Sequence, residues 1–148
     1  MQKTWKALVL PLIAGPLFAG ALVVEVANPD LNPEAQARHA AVIVKTTACT
    51  SPQKTTMTAT AEGIVEGKRQ SVPLELVRLS PPGTFAITPD WPAAGKWVVR
   101  VVAANPDYHG YAAGVLVPIR NNAPDWLAVQ RLFHAPTADD VNAVLFGE

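Results

Sequence analysis

Cys49, Met57, His39, His109 and His134 are the soft sulfur and imidazole groups that this 148-residue chain offers for chemistry beyond Met1, and such a set would suit copper. Their spacing speaks against a preassembled centre. The sequence has no C-x-x-C, H-x-H or H-x-x-x-H and no methionine-rich run, and the five residues are widely scattered. Met57 also falls in phase with Ala59 and Ala61, which is a core position. Packing roles for Met57 and Cys49 and surface roles for the histidines are the reading taken, with no metal site and no cofactor expected.

Nucleophilic catalysis fares no better. Cys49 sits in Thr46-Thr47-Ala48-Cys49-Thr50-Ser51-Pro52, a polar loop signal without a His or Lys cluster to activate a thiol. Ser51, Ser71 and Ser80 do not lie in G-x-S-x-G. The adjacent acids Asp139 and Asp140 read as first-turn helix residues favoured by the helix dipole. No enzyme is expected on these grounds. What remains is the segment Asp107-Tyr108-His109-Gly110-Tyr111, which places two aromatics with His and Asp in a turn. Tyr108, His109 and Tyr111 are the candidate binding residues, since strand-end loops on a rigid sheet commonly carry recognition. The competing role is structural, with Gly110 at positive φ and the tyrosines covering a sheet edge. Trp91 reads as a lid on the core.

These residues need a scaffold, and composition says what kind. Hydrophobic types make up 49% of the chain and charged types 16%, enough apolar surface to offset the entropy of ordering it. The 12 Lys and Arg balance the 12 Asp and Glu, which leaves no cationic excess for phosphates and excludes nucleic acid as an expected partner. With one cysteine, an internal disulfide is impossible.

The amino terminus carries Lys3 and Lys6 and then runs uncharged from Ala7 to Val24, the pattern of a secretory signal. Ala19 and Ala21 flank Gly20 in an A-x-A arrangement, which places cleavage after Ala21 and makes residues 1–21 a signal peptide. An uncleaved anchor is the alternative, and only then would a membrane be a partner. Pro11 and Pro16 interrupt a spanning helix and favour cleavage. Cys49 lies too far beyond the apolar core for a lipoprotein.

Residues 22–39 read as a polar lead-in, in which Asn32 caps a short helix with Pro33 at its first position. From Ala40 the period becomes two. Val42, Val44 and Thr46 alternate in a first strand, and Met57, Ala59 and Ala61 face away from three threonines in a second. Glu66-Gly67 punctuates a hairpin. Val72, Leu74 and Leu76 follow, with Pro73 marking an edge. Val77 and Leu79 then take the opposite parity, which predicts a bulge or a strand leaving one sheet for the other. After a short strand at Phe85 and Ile87, the segment from Lys96 to Ala104 reads as the central strand, with Trp97, Val99, Val101 and Ala103 on one face. Ala113, Val115, Val117 and Ile119 share a face of the next. Trp126 to Phe133 fits either a strand or a helix, and a last strand is the reading taken. Thr137 with Asp140 three residues on caps a terminal helix. The expected fold is all-β, an antiparallel two-sheet β-sandwich of the immunoglobulin-like kind with six or seven strands. It spans residues 40–133, ahead of a helical tail at 134–148.

The element Trp91-Pro92-Ala93-Ala94-Gly95-Lys96-Trp97-Val98-Val99-Arg100-Val101 resembles the "Pro, Gly-x-Trp, alternating valines" element of bacterial exported immunoglobulin-like domains of the YtkA-like and transthyretin-like kinds. The resemblance covers Ala40 to Val117. It implies a non-enzymatic accessory or binding module, in a group some of whose members handle copper or sit beside cytochrome oxidase assembly. It carries a scaffold and no site residue.

The functional expectation is a non-catalytic exported module in the bacterial cell envelope, periplasmic or secreted, that contacts an envelope protein or polymer. A periplasmic copper- or metal-handling domain is the alternative.

Overall fold

The computed structural model describes residues 21–47, 51–80 and 82–147. The expected signal peptide, apart from Ala21, and Cys49 lie outside these residues. Among the described residues ten strands pair antiparallel in two sheets. The smaller sheet holds β1 (Val23–Ala27), β2 (Val42–Thr47), β5 (Leu76–Arg78) and β6 (Thr84–Ile87), in the order β1-β2-β6-β5. The larger holds β3 (Thr56–Val65), β4 (Lys68–Leu74), β7 (Lys96–Ala104), β8 (Ala112–Arg120) and β10 (Gln130–Leu132), in the order β10-β8-β7-β3-β4. The two-residue β9 (Ala123–Pro124) adds to β8. The fold is an all-β sandwich with a short C-terminal helix, α2 (Ala138–Phe146).

Side-chain parity explains the layers. Trp97, Val99, Val101 and Ala103 of β7 join Ala59 and Ala61 of β3 and Val115 and Val117 of β8 in the core between the sheets. Val24, Val42, Val44 and Ile87 of the smaller sheet face them. The opposite parity is also buried. Val98 and Leu116 on the outer face of the larger sheet are covered by Val141 and Leu145 of α2. Ile43, Leu79 and Ala86 on the outer face of the smaller sheet are covered by Ala35 of a one-turn helix, α1 (Pro33–Ala37). The chain changes sheet at Glu75, before the parity change: Leu76 and Val77 both lie on β5, and Val77 and Leu79 take the opposite parity because they pack on the outer face of the smaller sheet. Leu74 ends β4 on the larger sheet, and β5 begins at Leu76 on the smaller one. Pro73 lies on β4, the edge strand, where its missing N–H interrupts no second ladder.

Turns follow the local chemistry. Glu66 and Gly67 both take positive φ between Val65 and its partner Lys68, the geometry of a two-residue hairpin whose twist matches its strands. Asn121 and Asn122 do the same between Arg120 and Ala123. Asn122 also accepts a hydrogen bond from Trp91 Nε1 at 3.2 Å, which fixes that buried indole at one end of the core.

Three expectations change. Among the described residues the strands number ten because β1, β5 and β9 join those anticipated. Residues 22–39 are part of the sandwich and not a lead-in to it: β1 pairs with β2 along its full length, and Asn32 Oδ1 caps α1 by accepting from Ala35 N. The segment from Trp126 is a 3-10 turn to Ala128 followed by the three-residue β10. Leu127 and Phe133 are consequently exposed and do not alternate into a core.

The start of α2 is a reciprocal capping box. Thr137 Oγ1 accepts from Asp140 N at 3.2 Å, and Asp140 Oδ2 accepts from Thr137 N at 2.7 Å and from Thr137 Oγ1 at 2.8 Å. His134 Nε2 lies 3.0 Å from the same carboxylate oxygen. The Thr137 backbone and hydroxyl donors, and then His134, hold the Asp140 carboxyl at about 2, below the usual 3.8. A depressed carboxyl contributes stability above its unfolded value and loses it as pH falls through its folded value. The docking of α2 should thus weaken between about pH 4 and pH 2, and Asp140→Asn should flatten that part of an acid titration followed by hydrogen exchange on α2. An unchanged acid limb in the variant would remove Asp140 from the account. Thr137→Ala should cost about 1 kcal/mol at neutral pH.

Candidate functional site

The turn between β7 and β8 is built on one buried polar residue. Asn105, 2% exposed, follows the last residue of β7. Its Oδ1 accepts from Asp107 N at 2.9 Å, capping the 3-10 turn Pro106–Tyr108. Its Nδ2 donates to Ser51 O and to Thr55 Oγ1, both at 3.0 Å, and so reaches the segment that enters β3. A buried amide has this reach only when every donor finds an acceptor, since an unmet one costs the full desolvation penalty. Two segments about fifty positions apart are thereby held as one unit.

A second link lies on the surface. Lys54 Nζ donates to both carboxylate oxygens of Asp107, at 3.0 and 3.1 Å. A hydrogen bond from the Ser51 side chain, then the Lys54 ammonium, lowers the Asp107 carboxyl below its ordinary value. Asp107 is thus committed to the scaffold.

Beyond this frame the chain reverses through His109 at φ 50° and Gly110 at φ 83°, and Tyr111 N donates to Tyr108 O at 2.9 Å. Gly110 meets no steric penalty there, and His is among the residues that tolerate the left-handed region better than most. The turn presents His109, Gly110 and Tyr111 to solvent, with Tyr111 71% exposed. Tyr108 is half-buried and packs against the main core.

The three residues singled out from sequence therefore separate. His109 and Tyr111 form an exposed surface, whereas Tyr108 belongs to the support. Phe133 adds to that end of the larger sheet. It follows Leu132, the last residue of β10, whose partner Gly114 lies near the start of β8, and it is largely exposed. A strand-phase argument hides such a residue, because it counts every apolar side chain toward the core.

The groups considered for metal binding stay apart. His39 ends the α1 turn, Met57 is partly buried against the core opposite Ala103, and His134 pairs with Asp140. Among the described residues no three His, Cys, Asp or Glu side chains gather as a ligand set.

A concavity of about 780 Å³ lies where α2 ends over the larger sheet. Lys96, Ile119, Leu127, Val129, Val144 and Leu145 are among its lining residues. It adjoins the start of β7, whereas the Asn105 turn follows the end of that strand, so the two features occupy opposite ends of the sheet. Among the described residues, no helix is long and apolar enough to cross a membrane. No protein-family model, curated protein or solved structure matches the chain.

Proposed function

We propose that the chain is an exported, non-catalytic binding module of the bacterial cell envelope, which contacts an envelope protein or polymer through the turn that carries His109 and Tyr111. The observation that carries this reading is the Asn105 frame. It satisfies the polar groups beneath the turn and holds the backbone from two sides, while an imidazole and a phenol stay exposed above it. A surface fixed before contact loses little conformational entropy on binding. Tyrosine supplies large contact area at low entropic cost and is enriched where binding energy concentrates. The signal-like residues 1–21 and the resemblance of residues 91–101 to exported immunoglobulin-like domains support the compartment and the accessory role.

A variant pair tests it. His109→Ser with Tyr111→Ser should leave the thermal midpoint nearly unchanged, as for exposed side chains. It should reduce retention of envelope material on the immobilised domain by at least ~10-fold, about 1.4 kcal/mol. Tyr108 is excluded from the variant because its ring packs on the core. Full retention with an unchanged midpoint would move the contact elsewhere on the sandwich.

A further inference from the structure

The first strand uses residues that the sequence pattern assigns to the leader. Residues 7–24 form one uncharged run, yet Leu22 is 4% exposed and Val24 1%, both within the core between the sheets. Val23 pairs with Thr47 and Val24 with Thr46, so the ladder begins one residue after Leu22. The fold thus withdraws Leu22, Val23 and Val24 from any membrane segment. The uncharged stretch left is residues 7–21, fifteen residues, fewer than the ~17–25 that a spanning helix needs. It also contains Pro11 and Pro16. That length suits the apolar core of a removable signal and not an anchor.

The same geometry bears on when the signal can be removed. A peptidase binds its substrate extended on both sides of the bond it cuts, and here Ala21 is exposed while Leu22 is wedged between the sheets. We propose that the Ala21–Leu22 bond is the processing site and that it is cleaved only before β1 docks, so that a precursor which folds first keeps its leader. This rests on the reading of residues 1–21 as a signal. In the step, water adds hydroxyl to the Ala21 carbonyl carbon as the C–N bond breaks. Ala21 leaves as a carboxylate, and Leu22 keeps the new ammonium. That ammonium emerges beside Thr47, at the end of the sandwich where Asn105 holds the segment entering β3. Leu22 then becomes both the first residue of the mature chain and a core residue.

The test uses the full chain folded in mild detergent and a purified bacterial signal peptidase, with products read by intact mass. Three substrates are compared: the folded wild type, Val24→Asp, which undocks β1, and a chain with a spacer of about six Gly and Ser residues between Ala21 and Leu22, ~20 Å when extended. The spacer chain and Val24→Asp should be cut after residue 21, and the folded wild type at least ~10-fold more slowly, because cleavage follows the population of the opened strand. Wild type cut as fast as the spacer chain would overturn the proposal while leaving the signal reading intact. If none of the three is cut, and wild type also stays whole when synthesised into membrane vesicles, the signal reading fails and the proposal with it.

Discussion

Trp97→Ala should lower the stability of the domain by about 3–5 kcal/mol, a fall of ~10–20 °C in thermal midpoint. The indole is buried at the start of the central strand, and its Nε1 donates to Ala94 O at 2.8 Å, so the ring is fixed from two directions. Its partner across the ladder is Gly63, and the pairing is steric. A Cβ on Gly63 would lie 2.3 Å from Trp97 Cε3, which no real contact tolerates. Gly63→Ala should therefore cost about 1–3 kcal/mol by overpacking. In a Trp97→Ala background the same change should cost much less, because the ring it collides with is gone. Equal costs in the two backgrounds would mean that the ring does not occupy the space above Gly63.

Asn105→Ala should cost about 2–3 kcal/mol, since it leaves Ser51 O, Thr55 Oγ1 and Asp107 N without their partner in a nearly solvent-free place. The loss should be local in character. Hydrogen exchange should quicken over residues 51–55 and 105–111 more than over β7 or β8, because the amide ties those two segments and not the ladder. Lys54→Met should do far less, since its ion pair with Asp107 is solvent-exposed. A uniform rise in exchange across the sandwich after Asn105→Ala would show the residue to be part of the global core and not a clamp on the turn.

How much of this was legible in the sequence depended on the length of each pattern. β3, β7 and β8 run for nine or ten residues, and their alternation located the core face. The phase change between Leu76 and Val77 falls within β5 and reports that strand's second buried face, whereas the passage between sheets, at Glu75, left the apolar phase of Leu74 and Leu76 unbroken. The two- and three-residue strands β9 and β5 are too short for any period to appear. β1 was hidden for a different reason: its valines continue the uncharged run of residues 7–24, so composition could not mark where the first strand begins. The candidate site was legible only at its surface. His109 and Tyr111 stand out by type, but an asparagine before a proline reads simply as a turn, and nothing nearby announces that Asn105 is buried against Ser51 and Thr55. Gly63 carried a faint signal, because glycine inside a strand pattern often marks a close approach.

Photo-cross-linking in living cells tests the binding reading most directly, with a light-activated residue placed at position 111 or, as the comparison, at position 127. Both native side chains are exposed, and Leu127 lines the concavity at the other end of the larger sheet. The account predicts a discrete cross-linked species from the exported fraction for position 111, its loss when His109→Ser is added, and none for position 127. Adducts from position 127 and none from position 111 would contradict it, and would place recognition in the groove beside α2.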